Sequence, residues 1–199
     1  MSAKRVVVAI TGASGAPYAV ATVRMLIDAG ARVELIVSPL GQRLLRDELD
    51  LPDASPARFH PDAARAEAAI TTHHFKDVGA TLASGSFRHD GMVIVPCSSN
   101  TLSCVATGTA QHLIHRAAYV CLKERRPLVV AHRETPLTLI DLRHMTTLTE
   151  AGAVILPCSP GFYQRPKTID ALVDGIALRI LDQLGIDAPD AEGHRWAGG

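Results

Sequence analysis

Two short stretches of small, hydroxyl-bearing residues stand out for what they could bind. TGASG (11–15) and CSSNT (97–101) each follow directly on a run of apolar, largely β-branched residues. A glycine-punctuated turn at the start of a helix presents backbone N–H groups and a hydroxyl to an anion, most often a phosphate. Ser38 closes a third such run, RET (133–135) a fourth and SPGFY (159–163) a fifth. Serine and threonine are also the favoured helix N-caps, so Ser98 reads equally well as a cap or as a ligand donor.

These residues need elements to carry them. Arg5–Thr11 (RVVVAIT) has no polar alternation, as in a parallel strand covered on both faces. Further strands are expected over 32–38, 70–75, 92–96, 127–132 and 153–157. Helices are expected over 18–29, 40–49, from CSSNT onward, 111–125, 139–151 and 168–184, with residues 50–68 a proline-punctuated loop holding at most one helical turn. Alternating strands and helices predict an α/β fold with a doubly wound parallel sheet, a flavodoxin-like or Rossmann-like three-layer sandwich. In such folds the ligand lies beyond the carboxyl ends of the strands, where all five polar motifs fall. One domain spans 1–186, and 187–199 is a polar tail containing the single tryptophan, Trp196.

Bulk properties narrow the class. The chain has 199 residues, is 47% hydrophobic and carries no formal net charge, which suits one compact domain and argues against nucleic acid as a partner. No apolar run approaches the ~20 residues of a membrane span, and the N-terminus enters a strand at once, so a cytoplasmic protein is expected. Cys97, Cys104, Cys121 and Cys158 lack CxxC spacing and read as buried free thiols. The histidines show no HExxH, and no metal site is expected.

A dinucleotide fails on detail. TGASGA resembles the opening TGxxxGxG of short-chain dehydrogenases, and Tyr119 and Lys123 make a YxxxK, but Ala16 and Tyr18 stand where the later glycines belong. Ser38, and no acid, closes the second strand; Glu34 is mid-strand. A mononucleotide, FMN, suits the residues better, with its phosphate on Gly12–Gly15 and a second set of donors at Ser98–Thr101.

Over nearly its whole length the chain resembles the UbiX-type flavin prenyltransferases. The matching stretches are TGASGA (11–16), ASGS (83–86), PCSSNTLSCVATG (96–108), LKERRPLV (122–129), HRETPL (132–137), GAVILPCSPGFY (152–163) and DALVDGIALRILDQLGI (170–186), in the family's order and spacing. The resemblance implies an FMN-binding fold assembled as a homo-oligomer, usually a dodecamer. The enzyme would join the dimethylallyl group of dimethylallyl monophosphate to N5 and then C6 of reduced FMN, releasing phosphate and supplying prenylated FMN to a partner decarboxylase. Carried over position by position, Gly12, Ala13, Ser14, Ser38, Ser98, Ser99, Asn100, Thr101 and Arg133 match the flavin site. Arg116, Lys123, Glu134, Tyr163 and Arg179, with Ser14, match the dimethylallyl phosphate site. Glu48 matches an acid that relays a proton with Ser14. Val78 stands where some members carry a tryptophan, so the prenyl pocket is expected to differ in shape.

The implied chemistry suits these side chains. A departing phosphate needs charge stabilisation, which arginine supplies as a bidentate fork and lysine as a point charge, and a proton, which Glu134 can donate. Read without the family, LKERR is also an ordinary charged helix end, and Arg179 an ordinary exposed residue of an amphipathic helix. Two other functions share the fold: a flavin-dependent cysteine decarboxylase, whose early catalytic histidine has no counterpart before His60, and a non-catalytic FMN carrier or decarboxylase accessory subunit.

Overall fold

The computed structural model describes residues 3–189. Six strands, β1 (Arg5–Ile10), β2 (Arg32–Val37), β3 (Ile70–His73), β4 (Gly91–Cys97), β5 (Leu128–His132) and β6 (Val154–Ile155), form one parallel sheet in the order β3-β2-β1-β4-β5-β6. Without the edge strand β3 this is the five-stranded flavodoxin order; with it, the six-stranded dinucleotide-fold order. The central strands β4 and β5 are buried at every position, which is why their sequences show no alternation.

Seven helices cover the sheet: α1 (Ala16–Asp28), α2 (Pro39–Leu49), α3 (Ala63–Ala69), α4 (Ser99–Ala106), α5 (Leu113–Lys123), α6 (Leu139–Glu150) and α7 (Ile169–Gln183). Val6, Val8 and Ile10 point to one side, where Leu26 of α1, Leu45 of α2 and Ile180 of α7 complete a core. Val7 and Ala9 point to the other, against Leu102 of α4, Ala117 of α5 and Leu148 of α6. The period-2 alternation of β1 thus builds both cores from one strand.

Three of the departures from the sequence expectation have a clear local cause. AARAEAA forms the helix α3, with Asp62 as its N-cap accepting from Arg65 N at 3.0 Å; alanine's helix propensity outweighs the neighbouring prolines. Helix α1 begins two residues early because Pro17 is pre-shaped for the first turn. Strand β6 shrinks to two residues, being an edge strand that pairs with β5 alone and is cut short by Pro157. The tail beyond 189, with Trp196, lies outside the described residues.

Candidate active site

Strand β1 and its neighbour β4 feed helices on opposite faces of the sheet, so a crevice opens beyond their carboxyl ends. Thr11 ties its two lips together: its hydroxyl donates to Pro96 O at 2.8 Å and accepts from Ser98 N at 2.9 Å. The turn after β1 depends on two glycines. A Cβ on Gly12 would sit 2.5 Å from Leu40 Cβ, and Gly15 has φ 129°, a backbone that side chains strongly disfavour.

The structure places a carboxylate where the sequence suggests a phosphate. Glu48, at the end of α2, folds back so that Gly15 N and Ala16 N donate to its Oε2 at 2.9 and 2.8 Å. Ala13 N is also engaged, on Thr11 O at 3.0 Å. An anion already occupies the positive end of α1, and a second one there would be repelled. Two other helix starts border the same crevice. Ser38 caps α2, accepting from Gly41 N at 3.0 Å, and Ser98 caps α4, accepting from Thr101 N at 3.3 Å. As a cap, Ser98 organises a first helical turn in which the N–H groups of Ser99 and Asn100 have no partner within the helix.

Arg133 follows β5 and lies beside Tyr18 and Cys158, close enough to favour their ionised forms. Burial nonetheless pushes the Cys158 thiol up to about 12 and raises Tyr18, so both stay protonated. The remaining cysteines are buried free thiols, Cys121 at about 12 for the same reason. Arg133 Nε is buried without a hydrogen-bond partner among the described residues. A desolvated guanidinium N–H costs free energy unless an acceptor meets it. This orphaned donor and the α2 and α4 helix starts fit a phosphorylated flavin.

Of the residues matched to the dimethylallyl phosphate site, one chain unites only some. Tyr163 and Arg179 line one pocket of about 600 Å³ between the 159–166 loop and α7; Arg179 Nη1 bonds Asp182 Oδ2 at 3.2 Å. Glu134 lines a separate cleft of about 310 Å³ with Ser99 and Asp141. Arg116 and Lys123 sit on α5, on the opposite side of the sheet from α7. Lys123 is moreover at the helix end that leads into the start of β5, away from the crevice. It pairs with Glu124, and Arg116 Nε donates to Ala83 O of the ASGS stretch at 3.2 Å. Val78 is exposed.

Other residues of the crevice carry weak sequence signals. Tyr18 and Cys158 look like packing residues. Asp141 was findable, since T-L-I-D at 138–141 has the spacing of a capping box, which the structure contains. The dehydrogenase alternative is excluded by placement: Glu34 is buried mid-strand, accepting from His73 Nε2 at 2.6 Å with Arg5 at 3.5 Å.

Fold and crevice define a flavin-binding protein of the doubly wound class. The family model described as Flavoprotein matches residues 1–181. The chain is 45% identical to a probable UbiX-like flavin prenyltransferase from Streptomyces sp. (strain D7), over 98% of this chain and 92% of that one. It is 39% identical to the flavin prenyltransferase UbiX of Synechocystis sp., over 99% and 98%. Among solved structures, AnUbiX (PadA1) in complex with FMN and dimethylallyl pyrophosphate superposes with TM-score 0.88 at 39% identity, each chain fully covered. A dodecameric FMN-dependent UbiX-like decarboxylase from Escherichia coli O157:H7 gives 0.84 at 38%, covering 98% of this chain and all of that one. The chain belongs to the UbiX-like flavin prenyltransferases.

Proposed function

We propose that this protein transfers a dimethylallyl group from a dimethylallyl phosphate to reduced FMN, with the flavin in the crevice between β1 and β4. The observation that carries the reading is the buried, unpartnered Arg133 Nε among helix starts at the strand ends. The flavin phosphate is assigned to the starts of α2 and α4, around Ser38 and Ser98–Thr101, because Glu48 holds the start of α1. Gly12, Ala13 and Ser14 then line the flavin rather than its phosphate, with Ser14 beside Glu48 for proton transfer. The flavin, when bound, supplies the nucleophilic N5 and C6. The protein's part is to hold both partners, exclude water and neutralise the leaving phosphate.

Tyr163 and Arg179 offer the phosphate a hydroxyl and a guanidinium in one pocket. Lys123 and Arg116 reach it only from another copy of the chain, since the sheet separates them from Arg179 within one. A shared site agrees with the exposed apolar residues Leu139, Ile140, Phe162 and Ile169, which a homo-oligomer would cover. A dodecamer is supported by the E. coli structure. The donor is assigned as the monophosphate, and a prenylated-FMN-dependent decarboxylase as the recipient of the product.

The test is anaerobic incubation with reduced FMN and dimethylallyl monophosphate, or the pyrophosphate in parallel, followed by mass and absorbance of the released flavin. A flavin heavier by one prenyl unit, with phosphate release, is expected. Bound but unaltered FMN with either donor would favour the carrier reading. The cysteine decarboxylase reading has no support in the site. The first histidine of the chain, His60, is tied to Asp28 at 3.0 Å, at the far end of α1 from the crevice.

A further inference from the structure

His132 ends β5 and is buried. Its Nε2 lies 3.2 Å from Ser99 Oγ, in the first turn of α4. The carboxylate of Asp141, in the first turn of α6, lines the same cleft as Ser99, and the Ser99 hydroxyl helps to hold it ionised. Asp141 is also buried, and Thr138 donates to its Oδ2 from N at 3.0 Å and from Oγ1 at 2.6 Å. These donors hold the Asp141 carboxyl down to about 2, so it is ionised and only accepts. Ser99 has a single proton, and it goes to Asp141. Ser99 Oγ is left to accept, and His132 must carry its proton on Nε2. Burial lowers the His132 pKa and keeps the ring neutral. This is not a nucleophilic triad: the carboxylate bonds the serine and leaves the hydroxyl proton nowhere to go but onto itself.

We propose that His132 is a positioning residue for prenyl transfer: as the Nε2–H tautomer it fastens the end of β5, and hence Arg133 and Glu134, through Ser99 to the starts of α4 and α6, so that the Ser99 hydroxyl is not a flavin ligand. The proposal rests on reading Arg133 and Glu134 as flavin- and phosphate-facing residues. Past His132 the strand has little else to hold it. Arg133 N reaches Cys97 O at 3.2 Å, and among the described residues the Glu134 carboxylate bonds only the adjacent Thr135 N, at 3.0 Å. A shift of about 1 Å in a catalytic group can cost about 10²-fold in rate.

Ser99→Ala, His132→Gln, His132→Leu and the Ser99→Ala/His132→Leu double variant are compared by FMN fluorescence titration and by single-turnover rate at saturating donor. Solid-state ¹⁵N spectra of histidine-labelled parent enzyme, assigned by loss of a signal in His132→Gln, report the tautomer without relying on any variant's activity. FMN affinity is expected within about threefold of the parent for Ser99→Ala, with the rate down about 10- to 100-fold. His132→Gln, whose amide N–H can replace Nε2–H, should recover most of what His132→Leu loses, and the double variant should be no slower than the slower single. An Nδ1–H or protonated His132 at neutral pH would overturn the hydrogen-bond order. A tenfold loss of FMN affinity in Ser99→Ala at parent rate would make the hydroxyl a flavin ligand. Parent rates throughout, with the Nε2–H tautomer present, would mean the network exists but positions nothing. Failure of the parent enzyme to prenylate FMN at all would instead strike the reading on which the proposal rests.

Discussion

Two residues assigned to the donor phosphate are expected to behave differently when changed. Glu134 is exposed in its cleft and makes no ion pair among the described residues, so no neighbouring cation competes with the leaving group for its carboxyl. Glu134→Gln should keep FMN binding and slow phosphate release by about 10²–10⁴-fold, the usual worth of a general acid. Lys123→Ala removes a cation proposed to meet the phosphate already in the ground state, so donor binding should weaken along with the rate. Single-turnover kinetics over a range of donor concentration separates the two; a parent rate for Glu134→Gln at saturation would remove its acid role. Gly12→Ala places a methyl 2.5 Å from Leu40 Cβ. The turn must shift into the flavin's space, and FMN affinity should drop at least tenfold while the circular dichroism spectrum stays that of the parent.

Among the elements, α2 does two jobs with its two ends. Its start must approach β1 closely: a Cβ on Gly41 would lie 2.5 Å from Ile10 O. A backbone oxygen cannot yield as a side chain can, so Gly41→Ala should cost about 1–3 kcal/mol in urea unfolding. Its end delivers Glu48 to the positive end of α1. Glu48→Ala should cost about 1 kcal/mol, as losing an N-terminal acceptor does. Glu48→Gln, which keeps an acceptor oxygen, should recover part of that stability without restoring proton transfer. If Glu48→Ala were as stable as the parent, the carboxylate would not be a cap, and the start of α1 would be open to phosphate after all.

For the whole molecule, acid and assembly are the informative variables. His115 is 1% exposed, its ring stacks on His112 at 3.7 Å, and neither ring nitrogen has a partner among the described residues. Burial, and then the neighbouring His112, push its pKa down to about 4. The unfolded chain therefore binds a proton that the folded one refuses. Stability from this group is complete above about pH 6.5 and is lost as pH falls toward 4, by on the order of 2–3 kcal/mol. His115→Phe should flatten the melting temperature between pH 6.5 and 4; an unchanged slope would shift the cause to other groups. Assembly is tested by mixing. Lys123→Ala and Arg179→Ala, each impaired alone, should regain part of the lost activity when unfolded and refolded together, because some sites would draw both intact residues from different copies. Mixed oligomers without that gain would place both residues in sites built from one chain.

The sequence by itself determined the local and the repetitive. Unbroken β-branched runs specified buried parallel strands, strand-to-helix alternation specified the doubly wound sheet, and small residues at the strand ends marked the ligand edge. Gly12 and Gly15 were legible because turn geometry is a property of neighbouring residues. Tertiary structure alone decided which of the glycine turn's donors are free. Nothing in the spacing of Glu48 from Gly15 says that a helix will return its carboxylate to those N–H groups. Likewise Ser99, His132 and Asp141 are far apart in the chain and meet only because β4, β5 and α6 are neighbours at one end of the sheet. The separation of Lys123 from Arg179 has the same origin. Motifs record which residues a site needs, whereas the side of the sheet on which each helix packs is set by the cores it buries, and that packing puts the two cations on opposite faces of one chain.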